Sequence, residues 1–180
     1  MNRRLAFALV LSLTAAPLAA QVATPTKEAA APGGDVPAKF VPPTAARDYD
    51  KRVVMVPMRD GTKLYTVIVV PKGVKDAPIV LTRTPYNAKG RANRTDSDSI
   101  LSTLPLADEM FVKAGYIRVY QDVRGKYGSE GDYVVTRPVI GPLNPTKVDH
   151  TTDAYDTIDW LVNKANLPES NGRVGMIGSS

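Results

Sequence analysis

"GRVGMIGSS", residues 172–180, decides how the rest of the chain is read. Val174, Met176 and Ile177 form a short apolar run of the kind that makes a buried strand, and Gly178-Ser179-Ser180 follows it at once. A strand running into Gly-x-Ser opens a nucleophile elbow: the serine sits on a strained strand-to-helix turn that lifts its oxygen out of the sheet, and small neighbours avoid a clash across the turn. By motif alone, Gly-Ser-Ser is also ordinary turn chemistry. The residues before it must decide between the two.

Working back, the chain alternates. Residues 152–165 carry an apolar stripe of Ala154, Ile158, Leu161, Val162 and Ala165, with Asp153, Asp156 and Asp159 toward the positive end, which predicts a helix. "YIRVYQD" (116–122) and "APIVLTRT" (77–84) predict strands. "PLADEMFVKAG" (105–115) predicts a helix, with Pro105 at its start, Gly115 at its stop, and Ala107, Met110, Phe111 and Ala114 on the buried face. "KRVVMVP" (51–57) and "TKLYTVIVV" (62–70) read as a hairpin closed by Met58-Arg59-Asp60-Gly61, since Asp-Gly favours a tight turn. A hairpin leading into strand, helix, strand, helix, strand implies an α/β fold with a mainly parallel sheet. The sheet is expected to be interrupted after its fifth strand, which no helix follows to cover its face. Residues 123–149, rich in Gly and Pro, form a loop long enough to be functional or a small excursion.

Residues 1–20, "MNRRLAFALVLSLTAAPLAA", have a basic start, an apolar stretch from Leu5 to Leu13 and small residues to Ala20, the layout of a secretory signal peptide. The apolar run is too short for a stable membrane anchor of about 20 residues. A periplasmic or secreted location follows. Residues 21–48 are rich in Pro, Ala and Thr and read as an extended arm or linker, which leaves 49–180 as the ordered domain. The arm is compatible with a homo-oligomer.

Composition narrows the chemistry. The chain of 180 residues has a formal charge of +5, two units of which, Arg3 and Arg4, lie in the leader. The remaining charge is mild and interleaved with acids, so nucleic acid is not an expected partner. With no cysteine and one histidine, thiol catalysis, Cys-based metal sites and multi-His metal centres are excluded. In "VRGKYGSEGDY" the glycines recur every third residue, which fits neither phosphate-binding pattern. Those glycines read instead as turn formers, beside an expected pairing of Asp122 with Arg124.

"LTRTPYN" (81–87), "YQDVRGKYGSEGDY" (120–133) and "DAYDTIDWLVNKANLPESNGRVGMIGSS" (153–180) resemble segments of the serine hydrolases that include X-prolyl dipeptidyl aminopeptidases, cocaine esterase, glutaryl acylases and α-amino acid ester hydrolases. The likeness is greatest to the α-amino acid ester hydrolases. It implies the N-terminal part of an α/β-hydrolase fold, with Ser180 the nucleophile in the first half of G-x-S-Y-x-G. It also implies that Tyr86 supplies an oxyanion donor through its hydroxyl. From the residues alone, Tyr86 reads as a turn tyrosine with its ring packed on the sheet; the resemblance favours the catalytic reading. The implied substrate is a small-molecule ester or amide, and the implied chemistry needs no metal or organic cofactor. The triad Asp and His are expected beyond Ser180, so this piece by itself is expected to be inactive. His150 precedes a helix and reads as a cap or a solvent-facing residue, not a base. Asp122 as a catalytic acid is disfavoured because the resemblance places the triad acid beyond Ser180. Trp160 and Tyr155 read as helix packing. A dipeptidyl peptidase, a general esterase, an acylase and a non-enzymatic exported binding module are the alternatives.

Overall fold

The computed structural model describes residues 46–178. The expected leader (1–20), most of the expected arm (21–48) and Ser180 lie outside the described residues.

The strands arise where β-branched and apolar residues run together. β1 (Tyr49–Pro57) and β2 (Lys63–Pro71) form an antiparallel hairpin in which Pro57 faces Lys63. Its turn is closed by Met58 N–H to Thr62 O (2.8 Å), and Gly61 takes a φ of +85° that a side chain would resist. β3 (Ala77–Thr84), β4 (Ile117–Asp122) and β5 (Ser170–Met176) complete a five-stranded sheet in the order β1-β2-β4-β3-β5. The hairpin pairs antiparallel with β4, while β4-β3 and β3-β5 are parallel. The parallel character expected of the sheet therefore belongs to β4, β3 and β5, and the sheet as a whole is mixed.

Every residue of β4 is buried, because both faces of the sheet are covered. Val67, Val69 and Tyr120 pack with Tyr49 against three short helices: α1 (Ala88–Arg91), α2 (Ile100–Thr103) and α3 (Glu109–Lys113). Ile68, Ile79, Leu81, Ile117 and Val119 face α4 (His150–Asn163), which supplies Leu161 and Ile158. The period-two alternation along β4 thus sends Ile117, Val119 and Gln121 to the α4 face, and Arg118, Tyr120 and Asp122 to the other.

Four expectations need correction. The helix expected over 105–115 is split into a 3₁₀ turn (Leu106–Asp108) and α3, and its inward residues are Asp108 and Val112, while Met110 is 69% exposed. The cause is Arg118, which emerges from β4 fully buried and draws the Asp108 carboxylate inward (2.8 Å). Second, α4 begins at His150 because Asp149 caps it: Asp149 Oδ1 accepts the Thr152 N–H (2.7 Å), and Thr152 Oγ1 accepts the Asp149 N–H (2.8 Å). Its buried line is Asp153, Thr157 and Leu161, with Val162 exposed. Third, β5 is not a buried strand: Met176 and Ile177 are 48% and 39% exposed, since among the described residues only β3 flanks it. Fourth, Tyr155 does not pack into the core as Trp160 does; its exposed ring lies under the Arg59 guanidinium, 5.8 Å from the centroid.

Candidate active site

Parallel pairing brings three strand ends to one edge. Thr84 of β3 is in register with Asp122 of β4, and Leu81 of β3 with Met176 of β5. Ile177 continues the pairing through its N–H to Leu81 O (3.0 Å). The Tyr86 turn leaves β3, and Gly178 follows β5, at this carboxyl edge, the usual place for ligands in an open α/β sheet.

Tyr86 is 56% exposed, so its ring is not packed on the sheet. It lines a hollow of about 470 Å³ together with Asn87, Gly90, Arg91, Arg94 and Pro105. A neighbouring hollow of about 210 Å³ is lined by Gly178, Ile177, Thr82, Asp108 and Arg118. Arg91 and Pro105 belong to both, so the Tyr86 turn and the start of the expected elbow open on adjoining space. Ser180 follows Gly178 in sequence, outside the described residues.

The backbone carrying Tyr86 is tied down on each side. The Tyr86 N–H donates to Thr84 Oγ1 (3.0 Å), and the Ala88 N–H donates to Asp122 Oδ1 (2.6 Å). Between them Asn87 adopts φ +66° and caps α1 by accepting the Gly90 N–H (2.9 Å). Asp122 is not paired with Arg124, contrary to expectation. Its other oxygen accepts the Gly128 N–H (3.2 Å), while Arg124 turns to Asp153 (2.6 Å) and Asp60 (2.8 Å) on the opposite face. β4 ends at Asp122, and the turn that follows, closed by Lys126 N–H to Val123 O (3.1 Å), carries Arg124 away from it. Burial pushes the Asp122 carboxyl above its ordinary range, and the two amides pull it back only in part.

The glycine-rich loop after β4 acts structurally. Gly125 (φ +70°) lies so close to the backbone at Asp132 and Tyr133 that a Cβ would overlap it. His150 opens α4 without capping it, and its Nε2 lies 3.0 Å from the Val134 carbonyl oxygen. It lines neither hollow. Among the described residues no group of His, Cys, Asp or Glu is arranged to hold a metal ion. The Arg118–Asp108 pair and Arg91 at the wall of the second hollow were not singled out from sequence. An arginine inside the apolar run "YIRVY" was the available signal for the pair, since a buried guanidinium requires an acceptor.

Three likenesses bear on this edge. Cocaine esterase of Rhodococcus sp. (strain MB1 Bresler) is 36% identical over 128 residues, covering 71% of this chain and 18% of that protein. The structure of a selenomethionine-labelled α-amino acid ester hydrolase is 65% identical with a TM-score of 0.75, covering 81% of this chain and 24% of that one. An aminopeptidase from a marine sediment archaeon, Thaumarchaeota archaeon, is 57% identical with a TM-score of 0.74, covering 82% and 24%. The chain therefore spans about a quarter or less of the length of these relatives. The fold is that of an α/β-hydrolase, and residues 60–180 match the model of one hydrolase family throughout. On the strength of that match, the chain belongs to the X-Pro dipeptidyl-peptidase (S15) family, whose members are hydrolases of the serine type.

Proposed function

We propose that this chain is the N-terminal part of an exported serine hydrolase that cleaves α-amino acid esters, and related amides including β-lactam amides, through an acyl-enzyme. The observation that carries the reading is the meeting of the Tyr86 turn and Gly178 at one sheet edge, on adjoining hollows. Ser180 Oγ attacks the substrate carbonyl. A histidine of the longer protein, beyond Ser180, takes the serine proton, is oriented by an aspartate also beyond Ser180, and returns the proton to the leaving alcohol or amine; water then releases the acid. The Tyr86 hydroxyl, exposed and without a partner among the described residues, donates to the oxygen that becomes negative. This chemistry needs no metal or organic cofactor. The substrate class is supported by the 65% identity to the ester hydrolase.

The test uses the protein extended past Ser180. Wild type should react with a serine-directed phosphonate and hydrolyse an α-amino acid methyl ester; Ser180→Ala should abolish both. Tyr86→Phe should keep phosphonate labelling at a reduced rate and lower kcat by about 100–1,000-fold. An extended wild type that is never labelled would favour the non-enzymatic reading. A second activity, release of residues from a peptide N-terminus, is favoured by the 57% identity to the archaeal aminopeptidase. Preference for an X-Pro dipeptide amide over the ester would make it primary.

A further inference from the structure

An oxyanion donor must be held within a few tenths of an ångström of its working position, and Tyr86 has little to hold it by its ring. More than half of the side chain is exposed. Its placement has to come from the backbone, and the backbone at this turn has two anchors. Thr84 Oγ1, in a side chain 3% exposed, accepts the Tyr86 N–H at 3.0 Å. Asp122 Oδ1, in a side chain 1% exposed, accepts the Ala88 N–H at 2.6 Å. The two anchors bracket Tyr86 and the left-handed Asn87, so neither the turn's path nor the direction in which Tyr86 Cβ leaves it can shift without breaking one of them.

Asp122 is itself fixed from behind. Its second oxygen takes the Gly128 N–H, and its own carbonyl accepts the Ser129 hydroxyl (2.7 Å). Ser129 Oγ in turn accepts the Tyr65 N–H of β2 (2.8 Å). Gly128 lies close against the Tyr65 side chain, where an added Cβ would come within 2.7 Å of the ring atoms. No Arg or Lys among the described residues bonds to this carboxylate. A carboxylate buried without a cation is costly, and its chemical merit here is that both oxygens accept. An asparagine could serve only one of the two amides.

We infer that Asp122 and Thr84 are positioning residues for the reaction: together they set the Tyr86 turn, and Asp122 ties it to the glycine-rich loop. The inference rests on the oxyanion role proposed above for Tyr86. It is tested by steady-state kinetics on an α-amino acid ester with the protein extended past Ser180, using Thr84→Val, Thr84→Ser, Asp122→Asn and Tyr86→Phe, singly and with each clamp variant combined with Tyr86→Phe. Asp122→Asn should lower kcat by about 10–100-fold with KM within about twofold. Thr84→Val should lower kcat by several-fold, about 3–10-fold, and Thr84→Ser should restore it. In the Tyr86→Phe background both clamp effects should disappear. If Tyr86→Phe lowers kcat but the clamp variants leave it unchanged, or act additively with it, the clamp is wrong and the oxyanion role stands. If Tyr86→Phe has no effect, the oxyanion role falls and the clamp with it. Should Asp122→Asn fail to fold, the nearly isosteric Thr84→Val decides by the same additivity criterion.

Discussion

Arg118 and Arg124 are both buried beside the central strand, yet each meets its carboxylates in a different way. Arg118 finds its acid nearby: Asp108, ten residues earlier, with Thr82 Oγ1 at 3.0 Å and the Val80 carbonyl completing the set. Its guanidinium lies against the rings of Tyr120 (4.8 Å) and Phe111 (5.6 Å), and Tyr120 donates its hydroxyl to the same carboxylate. Arg124 draws its acids from afar, Asp60 in the hairpin turn and Asp153 in α4. Gly131 leaves it room, since a Cβ there would lie 2.9 Å from Arg124 Cγ. The first centre seats one loop on the sheet with a single carboxylate. The second pins the hairpin turn, the glycine-rich loop and α4 together with two. Redundancy is the difference, and it should govern what each centre tolerates.

The largest effect is expected at the centre without a spare acid. Asp108→Ala leaves a buried guanidinium unpaired and the Tyr120 hydroxyl without its acceptor, and should cost about 3–5 kcal/mol in chemical denaturation of the extended protein. Asp153→Ala should cost less, about 2–3 kcal/mol, because Arg124 keeps Asp60. Its loss is not milder still because Arg83, 3.8 Å from Asp153, loses its neighbouring charge. A larger loss at Asp153 than at Asp108 would reverse the comparison. Tyr120→Phe removes one buried hydrogen bond and should cost about 1–2 kcal/mol. An equal loss from Tyr120→Phe and Asp108→Ala would mean that Arg118 contributes little.

The smallest effect concerns pH. Burial works to raise the Asp60 carboxyl, but hydrogen bonds from Arg124 and Thr62 outweigh it and hold the group below its ordinary 3.8. The unfolded chain therefore binds this proton at higher pH than the folded one. The stabilisation is complete above the unfolded value and is lost as pH falls through the lower folded value. Asp60→Asn should be less stable than wild type at pH 7, and the gap in Tm should close on acidification toward pH 3. A gap independent of pH would assign the Asp60–Arg124 contact no electrostatic part.

Much of the fold was legible because it rests on local pattern. The runs at 77–84 and 116–122 read as strands, and Asp60-Gly61 marked its turn, since β-branched packing and a left-handed glycine are properties of short segments. The 105–115 segment was misread for the complementary reason. Apolar periodicity counted Met110 as inward, but a charge on a strand yet to come outbid it with Asp108. Likewise the pairing of Asp122 with Arg124 rests on closeness in sequence, which the turn after β4 defeats by sending Arg124 to Asp153 and Asp60.

At the candidate site, the sequence by itself determined which residues are candidates, Tyr86 after the third strand and Gly178-Ser179-Ser180 after the fifth, because motifs are written in chain order. Only the tertiary structure decided that Tyr86 stands clear of the sheet, that Thr84 and Asp122 hold its turn, and that its hollow adjoins the one beside Gly178. Those facts depend on which strands become neighbours and on which face each side chain leaves. Hydrogen bonds spanning some 34 residues of sequence, as from Ala88 to Asp122, are set by that pairing and have no signature in either segment alone.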